Sequence, residues 1–507
     1  MSDRFYLTTA IDYSNGEPHV GHAFEKIGAD CIARYRRLRG QRVRFCIGMD
    51  ENAQNVAQAA EAAGVAPAAW IDRIADAFRT AWGELGISQD DFIRTVEPRH
   101  ARAVHEVLKR IEQAGHIYRG DYEGYYCVGC ESFKLEKDLV DGQCPIHPTR
   151  KIQWVKEPNF FFRLSSFGPR LLQLYDERPD FVRPKSKLHE IRNVVAAGLQ
   201  DLSVSRTRIP WGIPWPGDPS HTVYVWFDAL INYLASTGFP DPQYADWWPA
   251  DLHIVGPDIV RFHAAIWPAM LMAAGLEVPG GVWSHGWVNF SGARFSKSAG
   301  VRITLREAID RHGADALRYF LLREVPWDGD GDFSWERFDA RYEADLANGY
   351  GNLASRVLAM TTRYLGGVIP DGGEPTALDR EGDEVVAAYR AAMDAHLLHE
   401  GAHQAWRLVD RANRFVEETA PWNLAKQGDQ ERLRSSLGAL GRAVARITAL
   451  ASPYMPTKTS VVWDALGLGN LASGIPWQHL ERPPVGGKTV QKPAPLFPKA
   501  GAEPVSR

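Results

Sequence analysis

Two histidines near the start of the chain are the first residues whose spacing suggests chemistry. His19 and His22 follow residues 5–11, an apolar run that predicts a buried strand, and precede a helical pattern that begins at about Ala23. The start of a helix presents unpaired N–H groups and the positive end of the helix dipole, which attract phosphate. The segment therefore predicts a phosphate-binding turn, although the same two histidines could serve only as helix caps or packing residues.

A second candidate for phosphate binding is a lysine between two serines. Lys297 lies between Ser296 and Ser298, within the glycine-bracketed residues 292–300. Such a loop could carry an ammonium group to a polyphosphate, and an ordinary solvated turn is the alternative. The charge and the flexibility of this segment make it a second candidate for contact with a nucleotide.

Three of the five cysteines form a metal-binding pattern with a histidine. The spacing is Cys-x2-Cys-x13-Cys-x2-His, with candidate ligands Cys127, Cys130, Cys144 and His147. Two ligand pairs on two short turns are typical of a tetrahedral Zn²⁺ site. Because four protein ligands leave no position for water, we predict one structural zinc and no catalytic metal at this knuckle.

The elements around these residues predict a parallel α/β sheet that is interrupted and then resumed. Residues 42–48 predict a second strand, and Asp50 follows at its carboxyl end. After an insertion of about a hundred residues, a length uncommon for a simple crossover, the sheet is expected to resume as strands at residues 223–229 and 251–256. Long helical patterns follow residue 322, and the Pro-, Gly- and Lys-rich tail is expected to be loosely held unless residues 495–499 pack back.

Composition limits the class of protein. The chain has 507 residues, 45% of them hydrophobic and 24% charged, with a formal net charge of −4. These values exclude a disordered chain, predict about three domains, and leave room for only a local basic patch. The apolar residues 264–276 are interrupted by Pro268 and are too short to span a membrane, and no signal peptide is evident. We expect a cytoplasmic protein without a membrane partner.

The histidine turn and the serine–lysine loop together resemble the HIGH and KMSKS signatures of class I aminoacyl-tRNA synthetases. Arg294 and Phe295 replace the usual Lys and Met of the second signature, while its Ser-Lys-Ser is retained. Residues 10–13, 224–229 and 258–263 resemble the amino-acid pocket of the methionyl type. This resemblance covers nearly the whole chain.

The resemblance implies an α/β fold with a divided catalytic domain. A Rossmann-like parallel-sheet catalytic domain would be split by a connective insertion with the zinc knuckle and followed by an α-helical bundle that binds the anticodon. The expected boundaries are residues 1–117 and 223–325 for the two catalytic halves, 118–222 for the insertion with its knuckle at about 122–150, 326–482 for the linker and helical domain, and 483–507 for the tail.

The resemblance also implies the residues of the active site and the substrates. The catalytic residues would be His19, His22 and Lys297, with Mg²⁺ accompanying ATP. The residues around ATP would be His19, Gly21, His22, His285, Gly286, Val288, Ser296, Lys297 and Ser298. The residues around L-methionine would be Ile11, Tyr13, Asp50, Trp226, Ala229, Tyr233, Ile259 and His263.

The helical region carries the implied contacts to tRNA. Asn352 and Arg356 are four residues apart, hence on one helix face, and Trp422 would supply a stacking surface for a base. By the resemblance these residues read the CAU anticodon of tRNA(Met). The alternative interpretation is that Asn352 and Arg356 only solvate the helix and that Trp422 is a buried indole. Separately, we expect the protein to be a monomer.

The implied reaction is the activation of methionine by ATP followed by transfer to the 3′-terminal adenosine of tRNA(Met). The chain departs from the usual methionyl pattern at Met49, Asn52, Leu230 and Phe295. A paralogue that binds tRNA or an amino acid without turnover is therefore one alternative, and methionine-dependent pyrophosphate exchange would distinguish it. Another class I synthetase or a pantothenate-synthetase-like ligase is disfavoured, because the large editing insertion of the leucyl and valyl types is absent and the helical region is present.

Overall fold

The structure is a computed structural model in which most of the chain can be described. The described residues are 3–130, 132–134, 136–145, 148–207, 211–290, 293–294, 304–371, 374–469, 471 and 477–498. Four predicted site residues lie outside them: His147, Ser296, Lys297 and Ser298.

The first part of the chain alternates strands and helices. In chain order its elements are β1 (Arg4–Thr9), β2 (Asp12–Tyr13), α1 (Val20–Leu38), β3 (Arg42–Asp50), α2 (Gln54–Ala62), α3 (Pro67–Glu84), β4 (Asp91–Arg94) and α4 (Pro98–Gln113). A mainly antiparallel region follows, with β5 (Ile117–Cys127), β6 (Ser132–Lys134), β7 (Gln153–Phe162), α5 (Gly168–Glu177), β8 (Val182–Arg183), α6 (Lys185–Ala196), β9 (Leu202–Ser203), β10 (Ser205–Arg206), β11 (Pro214–Trp215) and β12 (Asp218–Val223).

The chain then returns to alternating elements before it becomes helical. These elements are α7 (Val225–Ala229), α8 (Asn232–Ala235), β13 (Leu252–Val255), a π-helical turn (Phe262–Ile266), α9 (Trp267–Ala273), β14 (Val282–Ser284), β15 (Val288–Phe290), β16 (Ala293–Arg294), α10 (Leu305–His312), α11 (Ala314–Glu324) and β17 (Gly331–Phe333). The helical part contains α12 (Trp335–Arg341), a π-helical segment (Tyr342–Gly351), α13 (Asn352–Leu365), α14 (Ala377–Asp394), α15 (Leu398–Thr419), α16 (Pro421–Gln427), α17 (Gln430–Ala451), α18 (Pro456–Ala465) and α19 (Gln478–Glu481).

A seven-stranded parallel sheet joins distant parts of the sequence. Its order is β2-β3-β1-β13-β14-β8, and β4 also pairs with β3. Leu7 of β1 lies opposite Phe45 on one side and Leu252 on the other. The predicted interrupted sheet and its return at residues 251–256 are therefore confirmed. Because parallel strands end at the same edge, the carboxyl ends of β1, β3, β13 and β14 lie together.

The prediction of a sheet strand at residues 223–229 is wrong. β12 ends at Val223 and belongs to a small antiparallel sheet with β10 and β11, and the next residues form helix α7. A short apolar run that is buried on all sides looks the same in a strand and in a helix, so the pattern could not distinguish them.

The insertion is built on a long ribbon. β5 and β7 pair antiparallel from Ile117 to Tyr126, β6 extends the sheet at the far end, and β9 pairs with β7 near its base. β8, which also lies between residues 118 and 222, pairs with β14 and forms an edge strand of the parallel sheet.

The helical part continues one hydrophobic core with the sheet. Buried residues from Phe5 to Phe497 form a single cluster that includes α1, α11, α15 and α17. The tail to residue 498 is held against it: Val490 N–H donates to Gly367 O at 2.8 Å and Tyr342 hydroxyl donates to Pro498 O at 2.8 Å. The expectation of a loosely held tail is therefore wrong for the described residues up to 498, and the alternative, that this segment packs back onto the body, is the one observed. Within the part of the chain that the structure describes, no helix is both long and apolar enough to cross a bilayer.

Candidate active site at the carboxyl ends of the parallel strands

The two histidines of the turn both cap helix α1. His19 is the N-cap, and its Nδ1 accepts hydrogen bonds from Gly21 N–H at 3.1 Å and His22 N–H at 3.4 Å. His22 Nδ1 accepts from His19 N–H at 3.3 Å, and the two rings stack at 3.7 Å. Helix capping is thus confirmed. Because each Nδ1 acts as an acceptor, each neutral ring carries its proton on Nε2 and could still donate to a phosphate oxygen.

The glycines predicted to border ATP stand where a side chain would not fit. A Cβ on Gly21 would lie 3.0 Å from the ring of His19, and a Cβ on Gly286 would lie 1.8 Å from Gly329 O. Val288, which is buried, begins β15 directly after this close approach. Substitution at either glycine would therefore displace the ring or the backbone.

The residue that follows the serine–lysine segment lies beside the histidine turn. Arg294 pairs with Asn289 in the β15–β16 hairpin, just before residues 295–303. Directly after them, Thr304 forms an isolated antiparallel bridge with His19. The chain that leaves β16 therefore returns to the cap of α1.

Four buried ionisable side chains lie behind the histidine turn. Lys26 Nζ donates to Glu25 Oε1 at 2.7 Å, to Asp12 Oδ1 at 3.1 Å and to Ala10 O at 2.9 Å. On the other side of Glu25, its Oε2 lies 3.2 Å from His285 Nε2. This cluster, which we call the lysine cluster (Asp12, Glu25, Lys26 and His285), joins β2, α1 and the end of β14.

The electrostatics of the lysine cluster follow from its burial and its hydrogen bonds. His285 Nδ1 lies 2.7 Å from Gly286 O and donates to it, since a carbonyl only accepts. Its Nε2 faces the carboxyl group of Glu25. Burial favours the neutral carboxyl, but Lys26 and His285 outweigh it and lower the pKa of Glu25. Burial raises the pKa of Asp12 to about 7 despite Lys26 beside it.

The predicted methionine pocket contains a tyrosine–histidine pair. Tyr233 hydroxyl lies 2.6 Å from His263 Nε2, and His263 Nδ1 lies 3.0 Å from Ile259 O. Because the carbonyl must accept, Nδ1 holds the proton and Nε2 accepts from Tyr233. Burial lowers the pKa of His263 to about 4, so the ring is neutral near pH 7. A π-helical turn, a feature often found at functional sites, carries His263.

Aromatic rings form the walls of this pocket. Trp226 of α7 stacks on Phe262 at 3.8 Å, and Tyr13 meets Trp226 edge-on at 6.2 Å. Ile11 and Ile259 are half-buried against the same hydrophobic cluster, and Ala229 is buried. The structure thus brings the predicted apolar residues together. Phe262 was not predicted, although its place between Ile259 and His263 in the quoted motif was a signal.

Asp50 lies at the carboxyl end of β3 beside a second buried network. Asp50 is 2% exposed and lies in register with Tyr13 of β2. Two residues further on, Asn52 Nδ2 donates to Asp228 Oδ2 at 2.7 Å and to Thr95 O at 3.2 Å. The other oxygen of Asp228 bonds to buried His100. This network ties the loop after Asp50 to helix α7, which bears Trp226.

The three cysteines of the knuckle converge. Sulfur atoms of Cys127, Cys130 and Cys144 all lie within 4.8 Å of one another, and Cys130 and Cys144 are 3.5 Å apart. Thiolates bound at about 2.3 Å to a tetrahedral zinc would lie about 3.8 Å apart, so the set fits this metal. Trp226 Nε1–H donates to Cys130 O at 3.2 Å, which links the knuckle to the wall of the methionine pocket.

The predicted anticodon residues also lie together, on the helical part. Asn352 is exposed at the start of α13, and Arg356 pairs with Glu417 at 2.7 Å. The guanidinium of Arg356 lies 5.8 Å from the ring centre of Trp422, which is 37% exposed. An exposed indole beside an arginine is an arrangement that suits an unstacked base.

Sequence reasoning missed the charged residues inside the site. Asp12, Glu25, Lys26 and Asp228 are all buried, yet no spacing rule singled them out. The structure explains two of them: most residues of helix α1 are buried, including Glu25 and Lys26, so these charges are paired with each other.

Comparison with known proteins identifies relatives along the whole chain. The family profile described as "tRNA synthetases class I (M)" matches residues 5–358. The methionine–tRNA ligase of Streptomyces coelicolor is 40% identical over 527 residues, covering 99% of this chain and 98% of the relative. That of Caldanaerobacter subterraneus is 42% identical over 476 residues, covering 92% of this chain and 74% of the relative.

Solved structures agree with these relatives. The methionyl-tRNA synthetase of Mycobacterium tuberculosis in complex with methionyl-adenylate superimposes with a TM-score of 0.92 at 39% identity, covering 98% of this chain and all of that chain. Its free form superimposes with a TM-score of 0.85 at 36% identity, covering 98% of each chain.

Proposed function

Since this chain belongs to the methionyl-tRNA synthetases of class I, we propose how its own residues ligate methionine to tRNA. Methionine's carboxylate attacks the α-phosphorus of ATP, which releases pyrophosphate and forms methionyl-adenylate. The terminal adenosine of the tRNA then takes the methionyl group. The observation that carries the proposal is that the histidine turn, the residues bordering the serine–lysine segment and the tyrosine–histidine pocket all lie at one edge of the parallel sheet.

The methionine side chain binds between aromatic walls and one polar pair. Trp226 and Tyr13 contact the flexible thioether, since sulfur beside a ring is favoured by about 0.3–1.5 kcal/mol. Tyr233 and the neutral His263 give the sulfur polar neighbours without placing a charge beside it. Ile11, Ala229 and Ile259 complete the apolar surface. Asp50, at the end of β3, receives the α-amino group.

The phosphates of ATP bind between the turn and the serine–lysine loop. His19 and His22 donate from Nε2, and Lys297 supplies an ammonium group to the phosphates, with Mg²⁺ accompanying ATP. Positioning and charge stabilisation supply most of the rate in phosphoryl-type transfer. The other residues around ATP are Gly21, His285, Gly286, Val288, Ser296 and Ser298. The bridge between Thr304 and His19 supports this placement, because it fixes the end of the loop beside the turn.

One structural zinc would be held at the knuckle by the thiolates of Cys127, Cys130 and Cys144, with His147 as the fourth ligand. A closed site of this kind stabilises the fold of a short segment and supplies no open position to a substrate.

The helical part recognises the tRNA. Asn352, Arg356 and Trp422 bind the CAU anticodon of tRNA(Met), with Trp422 stacking on a base and Arg356 held beside it by Glu417. The proposed units are residues 1–117 and 223–325 for catalysis, 118–222 for the insertion, 326–482 for tRNA binding and 483–507 for the tail. Because ATP and tRNA meet in the cytoplasm, we place the protein there, and a monomeric state stays a prediction.

The direct test is ATP–pyrophosphate exchange with each proteinogenic amino acid in turn. We expect exchange with methionine alone. Methionine-independent or absent exchange, with tRNA binding retained, would instead support the non-catalytic paralogue.

A variant tests the role of the serine–lysine loop. Lys297→Ala removes the cation from the phosphates, and we expect the exchange rate to fall by about 100-fold or more while the Kd of methionine is nearly unchanged. Exchange and methionine binding are measured on the same preparation. Equal losses in both would contradict the assignment.

A further inference from the structure

All three N–H donors of the Lys26 ammonium group have an acceptor. Each of the three N–H bonds of Lys26 is directed at one oxygen partner: Ala10 O, Asp12 and Glu25. The Lys26 and Asp12 side chains are 0% and 7% exposed, and that of Glu25 is 8% exposed. Solvent therefore cannot substitute for any of these partners.

The partners of Lys26 belong to the two halves of the substrate site. Ala10 and Asp12 flank Ile11 and precede Tyr13, which line the methionine pocket. Glu25 leads through His285 to Gly286, on the ATP side. Lys26 thus connects, through its hydrogen bonds, the segment that contributes Ile11 and Tyr13 to the proposed methionine pocket with the residues proposed to border the nucleotide.

Lys26 contacts both carboxyl groups of the cluster. Its ammonium group offsets the negative charge of Glu25, whose pKa it lowers, and that of Asp12 when Asp12 is ionised. Without Lys26, two carboxylates would face each other in the interior, where an unpaired charge is strongly unfavourable. Protonation of one carboxylate would relieve this repulsion.

We propose that Lys26 is a positioning residue for adenylate formation, which holds β2 and its Tyr13 in fixed relation to the Glu25–His285 pair and so aligns methionine with ATP. This inference rests on the proposed function, because it assigns Lys26 to the same reaction. Lys26 contacts neither substrate and acts through Asp12 and Glu25.

Other titratable groups near the cluster do not replace Lys26. Tyr233 of α8 and His263 of the π-helical turn interact with Glu25, and Asp50 of β3 interacts with Tyr233. Burial holds His263 neutral and raises the pKa of Tyr233. Neither can therefore offset a second negative charge near neutral pH.

The experiment compares the charge states of the cluster by pyrophosphate exchange. Lys26→Met should raise the KM for methionine and for ATP by about ten-fold or more near pH 9, because one carboxylate is left uncompensated. Lys26 lowers the pKa of Asp12, which is about 7 with the ammonium group present, so removal of Lys26 moves that pKa upward. As the pH falls from about 9 to about 7, Asp12 should therefore take up a proton, and we expect the exchange rate relative to the parent enzyme to recover in part. The double variant Asp12→Asn/Lys26→Met lacks this carboxylate, so its relative rate should show no such recovery.

Controls separate positioning from folding. Lys156→Met removes a lysine that pairs with Glu123 at the same 2.7 Å distance but on the exposed ribbon, and it should keep parental KM values. Thermal unfolding is followed for every variant. If Lys26→Met does not fold, the double variant decides, because it should fold and still show raised KM values when the link between β2 and α1 is lost.

Three results would overturn the proposal. Parental KM values in Lys26→Met would show that the link is not needed, and parental values in the double variant would show the same. A loss in Lys26→Met that is equal at every pH would contradict the charge compensation of Asp12 that the proposal assigns to Lys26. If the parent enzyme itself shows no methionine-dependent exchange, the proposed function fails instead, so the two failures are distinguishable.

Discussion

Two buried histidines of the candidate site differ in their hydrogen-bond partners. His263 faces a carbonyl and a tyrosine hydroxyl, so a single proton satisfies it. Burial also lowers its pKa to about 4, so this ring is neutral near pH 7. His285 faces a carbonyl and a carboxyl group. The neutral ring lies in the proposed methionine pocket, where it suits an apolar side chain, and the ring beside Glu25 lies on the proposed nucleotide side.

The hydroxyl of Tyr233 should matter mainly for methionine. Tyr233→Phe leaves the buried Nε2 of His263 without its donor, and an unsatisfied buried acceptor costs about 1–3 kcal/mol. We expect the KM for methionine in pyrophosphate exchange to rise by roughly ten-fold, with the KM for ATP nearly unchanged.

A matched tyrosine lies in the helical part. Tyr350 is equally buried, and its hydroxyl lies 3.0 Å from Thr448 Oγ1. Tyr350→Phe should lower stability without changing the KM for methionine. The assignment of the Tyr233–His263 pair would be wrong if the two variants gave the same kinetic values.

The raised pKa of Asp12 predicts a pH dependence of stability. Its pKa of about 7 in the folded protein exceeds the ordinary value of 3.8, so the folded state binds more protons between these two values, and stability falls as the pH rises through about 7. Where this group alone titrates, the free energy of unfolding changes by up to about 1.4 kcal/mol per pH unit. We expect Asp12→Asn to lose less stability than the parent between about pH 5 and pH 8 in urea unfolding, and parallel curves would contradict the expected pKa.

Groups that are compact in sequence could be predicted from their spacing, and partners that are distant in sequence could not. The three cysteines of the knuckle converge as their spacing predicts, while the roles of His19 and His22 toward ATP stay a prediction. Glu25 and His285 are 260 positions apart, and only the parallel sheet brings them into contact. No periodicity carries that information.

At the scale of elements, the amphipathic helices and the long strands were predictable, and the short buried pieces were not. Strand β3 and the apolar faces of helices α15 and α17 could be predicted from the pattern of hydrophobic residues along the sequence. Helix α7 was mistaken for a strand because all five of its residues are buried. The π-helical turn that orients His263 has no sequence signature at all, since it differs from an α-helix by one residue of register.

The knuckle should affect methionine binding through helix α7. Cys144→Ser removes one of the thiolates, and we expect loss of bound zinc together with a rise of about three- to ten-fold in the KM for methionine, the size of one lost hydrogen bond, because Trp226 loses its contact with Cys130 O. Zinc is measured with a chromogenic chelator after unfolding. Cys31→Ser, at a buried cysteine of α1, should keep the metal, and equal zinc in both variants would exclude the proposed ligand.

Across the whole molecule, one core connects the catalytic sheet to the helices that would bind tRNA. Phe497 of the tail packs against Gly351, the residue directly before Asn352. A Cβ on this glycine would lie only 3.1 Å from the Phe497 ring. The composition of the tail suggested loose attachment, but four of its apolar side chains are buried: Val485, Val490, Leu496 and Phe497. Composition averages over a segment and cannot register a few anchoring residues.

The two activities of the molecule should therefore be separable by one distant substitution. Trp422→Ala removes the exposed ring beside Arg356, and loss of base stacking of about 1–3 kcal/mol should raise the KM for tRNA(Met) by roughly ten-fold or more. Pyrophosphate exchange needs no tRNA and should keep its parental rate. Val461→Ala, at a similarly exposed residue of α18, should change neither activity. Aminoacylation and exchange are measured side by side, and unchanged charging of tRNA by Trp422→Ala would place the anticodon elsewhere on the helical part.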